Sequence, residues 1–210
     1  MDPALGIARL LLDTPGGITV TDGELFEFAS GLRSPLYVDC RTLVSRLPTR
    51  RAVVGHLAEV AEGFEGVDAV VGVATGGIPW GAWLSDSLER PFAYVRPAAK
   101  ERGTKQAVEG SIEPGSSLLV IEDLVTTGGS SLRCVDSLTD AGYAPVAVLS
   151  IFSYDLACAT ELFADKGVRL ASVCTMPDLL GPASEHPGYA AKVDLLRTWH
   201  RDEASAFRPG

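Results

Sequence analysis

LLVIEDLVTTGGSS, residues 118–131, is the stretch that decides how this chain folds. Four apolar residues end in two adjacent carboxylates, Glu122 and Asp123, and a Thr/Gly-rich turn follows before a helical pattern begins at Ser130. A short continuous apolar run is the mark of a strand buried on both faces, which is how parallel strands sit. In an open parallel sheet, ligands bind at the carboxyl ends of the strands. A turn of small residues feeding a helix N-terminus presents backbone N–H groups to an anion. Thr126, Thr127, Ser130 and Ser131 add hydroxyls, and Gly128 and Gly129 let the backbone approach closely. The carboxylates repel that anion but accept hydrogen bonds from a vicinal diol. The segment therefore fits a ligand carrying both a phosphate and a diol, as a ribose phosphate does. No Gly-Lys-Ser/Thr follows, so it is not a Walker A loop.

Working outward, strands and helices alternate. Strands are expected at 68–73, 92–95, 117–121, 146–152 and 168–174, with helices at 79–88, 130–141 and 156–166. That alternation predicts right-handed crossovers and an α/β, doubly wound parallel sheet covered on both sides. On the N-terminal side, a helix is expected at 3–13 and another at 48–62. Between them, 18–20, 25–29 and 36–39 read as short strands broken at Ser30-Gly31 and Ser34-Pro35. Residues 189–200 read as a terminal helix. The chain is expected to form one domain, 1–210. Its core spans about 48–170, with a small hood built from about 1–47 and part of 171–210. Residues 97–110 break the pattern: a polar, Gly-containing insertion between two strands, placed as a lid.

Composition narrows the function. The net charge of −9 argues against nucleic acid as a partner. The only apolar run near the start, 10–12, is too short for a leader or a membrane anchor. Cys40, Cys134, Cys158 and Cys174 form no CxxC pair, which favours a reduced, cytoplasmic setting over zinc or disulfides. An acidic protein with an anionic substrate must gather its cations locally, and Arg96, Lys100, Arg102 and Lys105 are such a gathering. His56, His186 and His200 lack metal-ligand spacing and read as structural; Trp80 and Trp83, at helical spacing, read as packing.

Residues 118–131 resemble the fingerprint of the type I phosphoribosyltransferases, with Glu in place of Asp as the first acid. Further segments point to the orotate phosphoribosyltransferases within that family. FASGLRSPLYVD, residues 28–39, resembles their SG-x-[KR]-SP-x-Y segment. YVRPAAKERGTKQAVEG, residues 94–110, looks like their catalytic loop, and VATGGIP, residues 73–79, is similar to their diphosphate-binding turn. SIFSY, residues 150–154, is similar to a segment of the Gram-positive bacterial branch.

The resemblance implies transfer of a phosphoribosyl group from PRPP to N1 of orotate, giving orotidine 5′-monophosphate and diphosphate. It implies that Glu122 and Asp123 hold the ribose hydroxyls and that Thr126, Thr127, Gly128, Gly129 and Ser130 hold the 5′-phosphate. Thr75 and Gly76 lie in the turn that would meet the diphosphate, Lys100 and Arg102 would neutralise it as it leaves, Arg96, Lys105, Leu124 and Val125 would also bind PRPP, and Thr126 would meet orotate. Lys100, Arg102 and Asp123 are the expected catalytic groups. Mg²⁺ is the implied cofactor, held through PRPP and water with no direct protein ligand. A homodimer with shared sites is the implied assembly, and a non-proline cis peptide is implied at Ala74–Thr75. Three positions depart from the pattern: Arg102 stands for a histidine, Pro97 for a lysine of some members, and Tyr154 where some members place an arginine on the orotate carboxylate. The rival readings are a purine or xanthine phosphoribosyltransferase and a non-catalytic PRPP-sensing regulator.

Overall fold

The computed structural model describes residues 2–96 and 108–209. Helix α1, Pro3–Asp13, starts on a proline and is capped by Asp2, whose carboxylate accepts the Ala4 N–H at 2.9 Å. Ile7, Ala8, Leu11 and Leu12 form its buried stripe. Four short strands follow: β1, Ile18–Val20; β2, Phe26–Glu27; β3, Arg33–Ser34; and β4, Leu36–Val38. β1 pairs antiparallel with β4, and β2 with β3. A 3-10 turn, Cys40–Val44, leads into α2, Leu47–Ala61.

The core then runs β5, Ala69–Val73; α3, Gly77–Ser87; β6, Phe92–Val95; β7, Val108–Glu109; β8, Ser117–Val125; α4, Gly129–Asp140; β9, Ala144–Ser153; α5, Ala157–Asp165; and β10, Arg169–Thr175. The sheet order is β10-β9-β8-β5-β6-β7, with every pair parallel except β6–β7. The expected doubly wound parallel sheet is thus present. Side chains alternate between its faces. Val70, Leu119, Ile121 and Leu149 pack with α1, α2 and α3, while Val71, Leu118, Val120 and Val148 pack with α4 and α5. From β5 the chain passes to β6 on one side and to β8 on the other. The strand order therefore reverses between β5 and β8, which opens a crevice at their carboxyl ends.

The elements depart from expectation in several places, among them the short strand β3 at the break expected at Ser34-Pro35. The strand expected at 117–121 continues to Val125, because Glu122, Leu124 and Val125 stay in register with Ser150, Phe152 and Ser153 of β9. The last described residues of the 97–110 insertion are not loop: Val108 and Glu109 add an antiparallel edge strand, opposite Val95 and Tyr94. Residues 97–107, which carry Lys100, Arg102 and Lys105, lie outside the described residues. Helix α6, Met176–Glu185, was not expected, because Pro177, Gly181 and Pro182 hide it. Pro177 sits in the first turn, where no N–H is required. Thr175 and Asp178 form a reciprocal capping box, the one sequence signal that could have revealed the helix. The terminal helix begins as a 3-10 turn at Ala190–Lys192, continues as α7, Val193–Trp199, and closes in a π turn, His200–Ala204.

A two-stranded sheet has two open edges, so its outward backbone groups need other partners. On the β1 side, Tyr189 Oη donates to Ile18 O at 3.0 Å and Lys192 Nζ to Val20 O at 2.8 Å. On the β4 side, Tyr154 Oη donates to Leu36 O at 3.0 Å and accepts from Val38 N at 3.3 Å. Trp199 Nε1 donates to Arg33 O at 3.0 Å. The C-terminal third of the chain thereby ties the N-terminal strands above the crevice. Helix α1 packs on α2, α6 and β10. Gly6 makes this approach possible, since a Cβ there would meet the His56 ring at 2.2 Å.

Candidate active site

At the end of β8 the backbone carries Glu122 and Asp123 into the crevice. Glu122 is 5% exposed and accepts from Ser131 Oγ at 3.1 Å, Ser130 Oγ at 3.5 Å and Asp123 N at 3.2 Å. Burial, and then the charge of Asp123, pushes the Glu122 carboxyl well above its ordinary range. Burial also raises Asp123. Two buried carboxylates side by side hold a proton more readily than isolated ones, and hydroxyl donors from a bound diol would offset their desolvation.

The turn after β8 closes on Gly128, the N-cap of α4, with φ +79. This left-handed conformation suits glycine, and the Phe163 ring 2.6 Å from the position of a Cβ leaves no room for a side chain. Across the crevice, the cis peptide expected from the resemblance is present at Ala74–Thr75. Gly76 follows it and lies against Asp123: a Cβ on Gly76 would meet the Asp123 carboxylate at 2.3 Å.

The acid pair and the Ala74–Gly76 turn line one open cleft of ≈ 390 Å³, a size suited to a small phosphorylated ligand. Thr75, Gly76, Glu122, Asp123, Leu124 and Ser130, all expected site residues, line it. Val125 does not; its side chain is 1% exposed and turned into the core. Thr126, Thr127, Gly128 and Gly129 form the adjoining turn outside the cleft wall, with Thr127 buried. Arg96 pairs with Glu109 and borders a neighbouring recess of ≈ 40 Å³ with Arg133 and Ser130.

The hood supplies a wall that residue-by-residue reading missed. Phe28, Tyr37, Asp39 and Arg41 line the same cleft. Phe28 and Tyr37 stack, with ring centroids 6.1 Å apart and 19° between their planes. Residues 28–39 could be singled out by resemblance, but nothing in the sequence says that the turn after β4 faces β8. Tyr154, by contrast, is 0% exposed and does not line the cleft. Phe28 and Trp199 meet its ring edge-on at 5.4 and 6.1 Å. Tyr154 therefore supports the hood.

His200 Nε2 donates to Tyr154 O at 2.9 Å, His186 packs on Tyr189, and Trp80 meets Trp83 edge-on at 5.4 Å, so these residues have structural surroundings. All four cysteines are free and buried. No helix among the described residues is long and apolar enough to cross a membrane.

A parallel sheet with an acid pair and a glycine turn at its switch point defines a phosphoribosyltransferase. The phosphoribosyl transferase domain matches residues 47–167, and the chain belongs to that family. It is similar to several orotate phosphoribosyltransferases. The one from Listeria monocytogenes serotype 4b is 37% identical over 198 residues, covering 93% of this chain and 94% of that protein. The one from Lactococcus lactis subsp. lactis is 38% identical over 196 residues, covering 93% of each. The crystal structure of orotate phosphoribosyltransferase from Aeropyrum pernix matches with a TM-score of 0.73 at 33% identity, over 84% of this chain and 98% of that one.

Proposed function

We propose that this chain transfers the phosphoribosyl group of PRPP to N1 of orotate, forming orotidine 5′-monophosphate and diphosphate in pyrimidine biosynthesis. The observation that carries the reading is the Glu122–Asp123 pair, set between the Ala74–Gly76 turn and the turn opening α4. In the reaction the C1–O bond to diphosphate breaks as the C1–N1 bond forms. Diphosphate leaves with the electron pair and N1 gives up its proton. Positive charge grows on the ribose ring, and Asp123, beside it, favours that charge. The backbone N–H groups opening α4 hold the 5′-phosphate, and Thr75 and Gly76 face the diphosphate. Lys100 and Arg102 are proposed to neutralise the leaving group; both lie outside the described residues. Arg102 stays protonated at neutral pH, so its part is charge stabilisation rather than proton transfer.

Mg²⁺ is proposed as cofactor. The ion would be held by PRPP oxygens and water, with Glu122 and Asp123 fixing the ribose diol. Bound there, it would neutralise charge on the diphosphate. A homodimer whose lids reach across to the partner's site is proposed on the resemblance of residues 94–110. One assay tests the reading: PRPP and Mg²⁺ with orotate, uracil, hypoxanthine and xanthine in parallel. Diphosphate release with orotate alone is the expected result, and consumption of a purine in its place would overturn it.

A further inference from the structure

The turn after β4 sets a cation opposite the ribose acids. Asp39 caps the 3-10 turn, accepting Arg41 N at 3.0 Å. The same carboxylate accepts Arg41 Nε at 2.7 Å and Nη2 at 2.8 Å, a two-point fork that fixes the guanidinium plane. Nη2 also donates to Tyr37 Oη at 3.2 Å. Nη1 has no partner among the described residues, and the Arg41 side chain is 62% exposed, on the cleft wall. Among the described residues lining the cleft, Arg41 is the single cation, facing Asp39, Glu122 and Asp123.

The chemistry of the base makes that position matter. Orotate is flat and carries its carboxylate on the carbon next to the reacting N1. With C1 of the ribose held at Glu122 and Asp123, the ring must reach N1 toward those acids while its face lies along the Phe28 and Tyr37 rings. Its carboxylate then enters a cleft whose described lining carries three carboxylates and one arginine. Without a donor aimed at it, the carboxylate would be repelled. Asp39 occupies the Nε–Nη2 edge, Tyr37 Oη accepts from Nη2, and the Nη1 donors have no partner among the described residues. We infer that Arg41, held in plane by Asp39, receives the carboxylate of orotate and makes the site prefer orotate over uracil. In this chain the role falls to the hood turn and not to position 154, whose side chain is buried. The inference rests on the proposed activity.

The test uses the full-length enzyme and its Arg41→Gln and Arg41→Lys variants. Steady-state constants for orotate and PRPP are measured, with the inhibition constant of uracil against orotate. For Arg41→Gln the expected outcome is a fall in kcat/KM for orotate of about 10- to 150-fold, the loss of a charge-assisted contact. KM for PRPP and the inhibition constant of uracil should stay within about 2-fold, since neither ligand presents a carboxylate. Arg41→Lys should fall between, because an ammonium keeps the charge and loses the planar fork. A KM for PRPP that rises in step with that for orotate, or a parallel loss for uracil, would overturn the inference, as would unchanged orotate kinetics. If the wild-type enzyme fails to use orotate at all, the reading of the activity itself fails. The two failures are therefore told apart by the wild-type control.

Discussion

The Tyr154 hydroxyl donates to the Leu36 carbonyl at 3.0 Å across 118 residues of sequence, and accepts from the Val38 N–H of the same strand at 3.3 Å. It seals the open edge of β4, the strand that delivers Tyr37, Asp39 and Arg41 to the cleft. Burial keeps the phenol protonated by pushing its pKa up, so it remains a donor throughout the working pH range.

Tyr154→Phe should therefore weaken the hood rather than the chemistry. It leaves a buried carbonyl and a buried N–H without their partner, which costs about 1–3 kcal/mol. For a chain of this size each kcal/mol lowers Tm by about 2–4 °C. Thermal unfolding checks it: an unchanged Tm would mean that the pair of hydrogen bonds contributes nothing to holding β4.

Gly76→Ala should act through Asp123. The backbone at Gly76 has φ −67, which alanine adopts freely, so the fold is expected to survive. The new methyl would displace the Asp123 carboxylate, which lies 2.3 Å from the Cβ position. A misplacement of this order costs about 100-fold in kcat/KM for PRPP. Comparing Gly76→Ala, Asp123→Asn and the double variant decides the route. If the two effects add fully, Gly76 does not act through Asp123.

Glu122→Gln should trade function for stability. The folded carboxyl is raised above its ordinary value of 4.5, mainly by burial and next by Asp123. The folded state therefore binds this proton more tightly than the unfolded chain does. The stability that Glu122 contributes is fully present below about pH 4.5 and is lost as pH rises through the raised folded value. A glutamine avoids that loss and can still accept from Ser131. The variant should unfold at a higher temperature than wild type at pH 7, by about 2–4 °C for each kcal/mol relieved. The difference should shrink toward pH 4, while KM for PRPP rises. A wild type more stable than the variant at pH 7 would refute this account of the pair.

Residues 118–131 suffice to foresee the strand, the acid pair at its end and the glycine turn that opens α4, because that information is local. An apolar run that must be buried on both faces reads as a parallel strand, and small residues before a helix read as an anion cradle. Even there the boundary moved. Glu122 to Val125 remain in the strand because β9 offers them pairing partners, and pairing across the sheet is invisible in the chain's own order. Helix α6 was hidden by two prolines whose tolerance depends on their place within the turn. The Thr175–Asp178 capping box was its one visible mark.

What the sequence determined by itself is the alternating order of strands and helices and the acid pair with its glycine-rich turn, since periodicity and turn chemistry act over a few neighbours. The tertiary structure alone decided which other side chains line the same cleft. Tyr154 is consumed in sealing β4, Val125 turns into the core, and Arg41, 82 residues from Asp123 in the sequence, is brought onto the same cleft wall. Those outcomes follow from how a two-stranded hood satisfies its open edges against the C-terminal helices. Such long-range hydrogen bonds and packing leave no periodic trace in the residues that make them.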